Sequence, residues 1–200
     1  MSPLEAALRA IAAELDRRGL GWALVGGLAV TARAEPRTTR DVDVAVSVRD
    51  DAESERLVFQ LSSSGWDVAA AVERDAAGRL ATVRLRPPLE RRVRGVVVDL
   101  LFASSGIEAE IAAEADRLEV LPGLVVPVAT LGHLLALKVL SRDDRTRPRD
   151  AEDLRALFAE ATTTDIETAR NGLARIRQLG FHRDKDLSAE LDRALADWGR

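Results

Sequence analysis

The chain has no cysteine, two histidines, two lysines and a single methionine in 200 residues, and aromatic residues make up only 4%. Without cysteine there can be no disulfide framework, no thiolate metal centre and no cysteine nucleophile. This composition suits a reducing compartment, and a cytoplasmic location is expected. His133 and His182 do not have metal-pair spacing and read as structural or exposed positions. The few Trp and Phe residues are too scattered to form a base-stacking platform and read as core. No run approaches the roughly 20 apolar residues that a membrane span needs. The first nineteen positions mix Glu5, Arg9, Glu14, Asp16, Arg17 and Arg18 among apolar residues, unlike a secretory leader. Nor is there an excess of positive charge: the formal net charge is -4 and the isoelectric point is near 5.4. This argues against tight, non-specific nucleic-acid binding by the surface as a whole and leaves room only for a local basic patch. An apolar fraction of 46% supports a real core, and 31% charged residues a well-solvated surface. The length fits one ordinary domain, or a small α/β domain with a helical annex.

Residues 22 to 48 are the most informative stretch. Trp22 to Val25 is a short apolar run that reads as a buried strand. Gly26-Gly27 turns the chain, and Leu28 to Ala34 reads as a short helix stopped by Pro36. Asp41 to Val48 alternates with period two, which predicts a strand with Asp41, Asp43, Ala45 and Ser47 on one face and four valines on the other. Asp41 and Asp43 on one face stand roughly 6–7 Å apart at Cβ and repel each other unless a positive group lies between them. A divalent cation can bridge that gap, and hard oxygen donors without cysteine point to Mg²⁺.

Around this stretch the periodicities predict a mixed α/β chain. Ser2-Pro3-Leu4-Glu5 is a capping box opening a helix whose apolar face is Leu4, Leu8, Ile11, Ala12 and Leu15, with Gly19 as its stop. Asp51 to Ser63 reads as an amphipathic helix. Trp66 to Val72 and Leu80 to Leu85 read as a hairpin turning at Asp75 to Gly78 and ended by Arg84, Arg86, Pro87 and Pro88. Gly95 to Ala103 is nearly continuous apolar sequence and predicts a central strand with Asp99 in its middle. A buried carboxylate costs several kcal/mol unless it meets a cation or strong donors, so Asp99 is either a third metal ligand or a partner of Arg or backbone amides. Glu108 to Leu118 reads as a helix, with short strands at 119–121 and 124–126 around Pro122-Gly123.

Thr130 to Ser141 is a mostly buried helix carrying Lys138, which taken alone reads as a snorkelling surface lysine. Arg142 to Arg149 is either a solvated loop or a phosphate-contacting lip. Asp150 and Asp153 lie at the start of the next helix, where acidic residues also suit the helix dipole. Thr164 to Glu167 reads as a second capping box for a helix to Leu179, and Asp186 to Trp198 is the last helix.

Gly-Gly, a short helix and then Arg37-x-Thr39-x-Asp41-x-Asp43, followed by a later strand carboxylate and a helical lysine, resembles the active-site signature of nucleotidyltransferases of the DNA polymerase β superfamily. The form is most similar to the AbiEii-like toxins of type IV toxin–antitoxin systems. The resemblance covers about residues 20 to 155. It implies an α/β (α+β) nucleotidyltransferase fold, a mixed sheet flanked by helices, with residues 1–127 as the catalytic domain and 128–200 as a helical region.

By this resemblance, Asp41, Asp43 and Asp99 would hold Mg²⁺, with Mn²⁺ as a substitute, and Asp99 would accept the acceptor's proton. Gly26-Gly27 would cradle the triphosphate, Thr39 would donate to a phosphate, and Arg37 and Arg40 would either assist or serve as surface charges. Lys138 would neutralise the outer phosphates, with Asp150 and Asp153 as accessories. The implied substrate is an NTP, the leading acceptor RNA, for example a tRNA 3′ end, and the implied partner a cognate antitoxin. Alternatives are a small-molecule acceptor of aminoglycoside type, a protein acceptor, or a non-catalytic nucleotide-binding module. A basic groove beside Asp99 would favour RNA, and an acidic one a cationic antibiotic. Asp99 departs from the AbiEii-like pattern, in which a third strand carboxylate is not uniform.

Overall fold

The computed structural model describes residues 2–35, 38–74, 79–88, 96–143 and 148–199. In chain order the elements are α1 (Pro3–Arg17), β1 (Trp22–Val25), α2 (Gly26–Arg33), β2 (Asp41–Val46), α3 (Asp51–Ser63), β3 (Asp67–Arg74), β4 (Arg79–Arg86), β5 (Val97–Leu101), α4 (Glu108–Ala113), β6 (Asp116–Leu121), β7 (Leu124–Val128), α5 (Leu131–Ser141), α6 (Pro148–Glu160), α7 (Thr163–Gln178) and α8 (Leu187–Trp198).

The strands form one mixed sheet in the order β3-β4-β5-β2-β1-β7-β6. β2 and β5 run parallel at its centre, β1 is antiparallel to β2 and parallel to β7, and the outer pairs are hairpins. The valines of the alternating segment behave as the period-two pattern requires: Val42, Val44 and Val46 are fully buried, as are Val98 and Leu100 on the neighbouring strand. α1 packs on β2 and β5, and α4 on β1 and β2. The α1 capping box forms, with Glu5 N bonded to Ser2 Oγ and Ser2 N bonded to the Glu5 carboxylate.

Three local expectations change. The helix after Gly26-Gly27 starts at Gly26 itself, so the two glycines are its first turn. The helix expected over 108–118 stops at Ala113, and 116–121 is strand β6. Its Glu/Ala-rich start has helical propensity, but Leu118 pairs with Val126 across the Pro122-Gly123 hairpin, and pairing outweighs propensity there. The second capping box lies two residues earlier than expected, between Thr162 and Asp165. The turn expected at Asp75 to Gly78 falls outside the described residues.

After β7 the chain is helical. α5 packs closely on α7: a Cβ added at Gly132 would lie 2.5 Å from the Asp165 carbonyl and 2.6 Å from Thr168 Cβ. Only glycine allows that approach.

Candidate active site

Period-two geometry puts Asp41 and Asp43 on the face of β2 opposite the buried valines, and strand register carries a polar row across the sheet. Val25 of β1 lies beside Asp43, Asp43 beside Asp99 of β5, and Asp99 beside Arg84 of β4. Directly after Val25 the chain enters α2 through Gly26, whose φ of +62° is a left-handed conformation that side-chain-bearing residues rarely adopt. A Cβ at Gly26 would fall 2.0 Å from Asp43 Oδ2 and 2.5 Å from its Cγ. Glycine is therefore demanded twice, by the backbone angle and by the carboxylate packed against it. Val25 at the N-cap position offers no side-chain acceptor, and the first turn of α2 carries no acid. The positive end of this helix favours an anion, and the Asp43 carboxylate stands against its first residue.

An open cleft of about 820 Å³ is lined by Gly26, Gly27, Thr39, Arg40, Asp41, Asp43, Arg84, Asp99, Lys138, Arg149, Asp150, Asp153 and Arg183, among others. This volume is ample for a nucleotide. Thr39 lies on its wall, its hydroxyl 3.5 Å from the Asp41 carbonyl. Arg37 falls outside the described residues.

The three aspartates come to one cleft but not to one point. Among the described residues no three His, Cys, Asp or Glu side chains converge closely enough to hold a metal ion. Asp99 has both carboxylate oxygens on Arg84, at 2.8 Å from Nε and 2.7 Å from Nη2. This bidentate pair is the strongest geometry a carboxylate can find on a side chain. The hydrogen bonds to Asp99 hold the Arg84 guanidinium well above the usual arginine range, with the charges of Asp99, Asp41 and Asp43 adding to the effect and desolvation opposing it. The metal question therefore reduces to the half-buried pair on β2. Two carboxylates on alternate residues of one strand, facing a cleft, are hard oxygen donors of the kind that would hold a divalent cation such as Mg²⁺.

Lys138 is not a snorkelling surface side chain. It is 8% exposed, and its Nζ lies 2.8 Å from Asp150 Oδ1 and 2.7 Å from Asp153 Oδ2. Asp150 and Asp153 sit one turn apart on α6, so one ammonium bridges both and pins α6 to α5. Ser141 Oγ donates to the other oxygen of Asp150 at 3.1 Å. Two of the three ammonium donors are spent on these carboxylates, which leaves one for a ligand in the cleft.

The segment expected as a loop over Arg142 to Arg149 divides, because α6 begins at Pro148 and takes in Arg149. Arg142 packs over the Trp198 ring, 5.1 Å from its centroid, whereas Arg149 lines the cleft. Arg145 and Arg147 lie outside the described residues. His133 is fully buried, with Nδ1 2.9 Å from Thr130 Oγ1.

Sequence reasoning missed Arg84, Ser104, Ser105 and Arg183 as cleft residues. The alternation of β4 contained the signal for Arg84, because Ala81, Val83 and Leu85 are buried and Arg84 must face the other way. Arg183 had no sequence signal, since it reaches the cleft from beyond α7.

The fold brings paired carboxylates and basic side chains to one open cleft, and comparison with known proteins gives the class to which it belongs. A family model described as "Nucleotidyl transferase AbiEii toxin, Type IV TA system" matches residues 7–198. The chain belongs to this family and is a nucleotidyltransferase. No curated protein matches it.

Among solved structures, an antigenic nucleotidyltransferase-like protein from Paracoccidioides brasiliensis shares the fold, with a TM-score of 0.54 at 20% identity over 95% of this chain and 92% of that one. The antibiotic-resistance factor ANT(2'')-Ia aligns with a TM-score of 0.46 at 20% identity, over 98% of this chain and 92% of its own. MenT4, a nucleotidyltransferase toxin from Mycobacterium tuberculosis, aligns at 0.40 and 15% identity, over 100% and 96%. These two likenesses are too distant to bear on substrate. No described helix is long and apolar enough to cross a membrane.

Proposed function

We propose that the protein transfers a nucleoside monophosphate from an NTP to RNA in a Mg²⁺-dependent reaction, as the toxin of a toxin–antitoxin pair, with a tRNA 3′ end as the leading acceptor. The observation that carries the choice of acceptor is Arg84. A guanidinium sits on Asp99, and the cleft sets Arg40, Arg84, Arg149, Arg183 and Lys138 against five aspartates, so that with Asp41 and Asp43 on a divalent cation the balance of charge in it would be positive. A cationic antibiotic would meet like charge there, whereas a nucleic-acid backbone would meet opposite charge.

In this reading Asp41 and Asp43 hold Mg²⁺, for which Mn²⁺ can substitute, and the bound cation supplies charge neutralisation on the phosphoryl oxygens. The Gly26 and Gly27 amides at the start of α2 receive the triphosphate. Lys138, fixed by Asp150 and Asp153, directs its remaining proton at an outer phosphate. Thr39 and Arg40 line the same wall, and Arg37 belongs to the segment that precedes it. Asp99 accepts the proton of the attacking hydroxyl once one of its oxygens is released by Arg84, and Arg84 then turns to the acceptor. Residues 1–127 thus carry the cation and triphosphate sites, and the helical region 128–200 supplies Lys138 and the opposite wall. An antitoxin is the expected protein partner, and the cytoplasm is the expected compartment.

The test is transfer of α-³²P label from each of the four NTPs, with Mg²⁺, into total cellular RNA, alongside the Asp41→Asn/Asp43→Asn double variant. We expect label in RNA from one preferred NTP, lost in the variant. Label in protein or in an added aminoglycoside, with none in RNA, overturns the acceptor. Transfer that persists in the double variant overturns the metal site.

A further inference from the structure

The connector between α7 and α8 is bolted to the rest of the molecule at three successive odd-numbered positions. Phe181 packs on the loop that follows β5: a Cβ at Gly106 would lie 2.8 Å from the Phe181 ring. Arg183 reaches the same loop, its Nη2 3.4 Å from both the carbonyl and the hydroxyl of Ser104. Lys185 donates to the carbonyls of Leu140 and Arg142, at 3.0 and 2.6 Å, and so caps the end of the helix that carries Lys138.

The loop on the far side is rigid too. The buried carboxylate of Glu108 accepts from Ser105 N at 2.6 Å, Ser105 Oγ at 2.9 Å and Gly106 N at 2.9 Å. Between these anchors the backbone is strained. Arg183 and Asp184 have φ of 53° and 57°, and they are the two non-glycine residues with positive φ among those described. Aspartate tolerates the left-handed region, whereas arginine gains nothing local from it. Strain held in place by its surroundings is characteristic of functional sites.

What the strained turn achieves is delivery: the Arg183 side chain lines the cleft together with Ser104, Asp99 and Lys138. We infer that Arg183, presented by this bolted turn, is a phosphate-contacting residue of the cleft, so that a segment outside the sheet and its motifs forms part of the substrate site. The inference rests on the nucleotidyl-transfer reading. The phosphate belongs either to the nucleotide's triphosphate or to the backbone of the acceptor, and Ser104, which follows the strand of Asp99, sets the guanidinium on the Asp99 side.

Binding rather than transfer tests this, so that its failure is separable from failure of the RNA reading. The probes are inorganic tripolyphosphate with Mg²⁺, followed by calorimetry, and a fluorescent single-stranded RNA ten-mer, followed by anisotropy. Arg183→Ala is expected to weaken one of them by about tenfold or more, the loss of a charge-assisted contact. Arg183→Lys should recover part of that loss. Arg175→Ala, the same charge change on the exposed face of α7, should stay within twofold of the parent protein. Arg183→Gly accepts the positive φ without strain, so it keeps the turn while removing the guanidinium. It should melt at or above the parent temperature and still bind weakly, which guards against a folding artefact in the alanine variant. A loss in the tripolyphosphate arm assigns the nucleotide, and a loss in the RNA arm assigns the acceptor. Both probes binding Arg183→Gly within twofold of the parent overturns the inference.

Discussion

Lys138 shows most directly how single residues set this site. Its ammonium is the shared partner of two carboxylates whose side chains are 4% and 1% exposed. Removing one partner from a buried ionic cluster leaves uncompensated charge, at a cost of about 3–5 kcal/mol. Lys138→Met should therefore lower the free energy of unfolding by that order in urea titrations, besides abolishing transfer. Adding Asp150→Asn and Asp153→Asn to Lys138→Met should restore most of the stability and none of the activity. A Lys138→Met variant as stable as the parent would show that the cluster is not held as described. At this scale the sequence was informative where chemistry repeats with a period, and uninformative where a partner comes from elsewhere. Asp41, Asp43 and Gly26-Gly27 could be read from spacing. The partner Asp99 has in the structure is Arg84 on the next strand, and no local pattern names a cross-strand partner.

Among the elements, α5 has the most constrained position. Thr130 caps its start, accepting from His133 N, Gly132 meets α7 backbone to backbone, and Lys185 caps its end. Gly132→Ala inserts a methyl group where the Asp165 carbonyl already stands, so the helices must separate. Overpacking of this kind costs about 1–3 kcal/mol, and Lys138 lies six residues along, roughly 9 Å up the same helix. The variant should melt a few degrees lower and lose turnover more than nucleotide affinity. A variant with a lowered melting temperature and parental turnover would show that the α5–α7 spacing does not position the lysine.

Element boundaries were legible where a cap or turn residue marks them. α3 runs over Asp51–Ser63, the range its amphipathic pattern predicts, because Asp50 caps it and Gly65 follows it. α4 was overextended because nothing in Glu114-Ala115-Asp116 breaks a helix; only pairing with β7 does.

For the whole molecule, net charge is a poor guide to what the cleft accepts. The chain carries -4 overall, yet Arg40, Arg149 and Arg183 line the cleft beside the aspartates proposed to bind the cation. Three phosphate contacts predict a shallow salt response, with log K for single-stranded RNA falling against log salt at a slope of about -2. Between 50 and 200 mM salt the Kd should rise by about 16-fold. A flat response would remove the arginines from the interface, and a slope steeper than about -4 would require a second basic surface outside the cleft. The acidic composition averages over the whole surface, whereas the proposed contact with RNA would depend on the few charges around the cleft.

The three-point anchorage of the α7–α8 connector also has a consequence in time. A polypeptide emerges from the ribosome amino end first, and the Asp41–Asp43 strand leaves it about 140 residues before Phe181, Arg183 and Lys185. Until those residues emerge, the helix bearing Lys138 lacks the cap at its far end and Arg183 is missing from the lining of the cleft. A nascent chain thus carries the paired aspartates, the glycine turn and Lys138 before its cleft is fully lined, and completion of the site waits on residues far downstream of them.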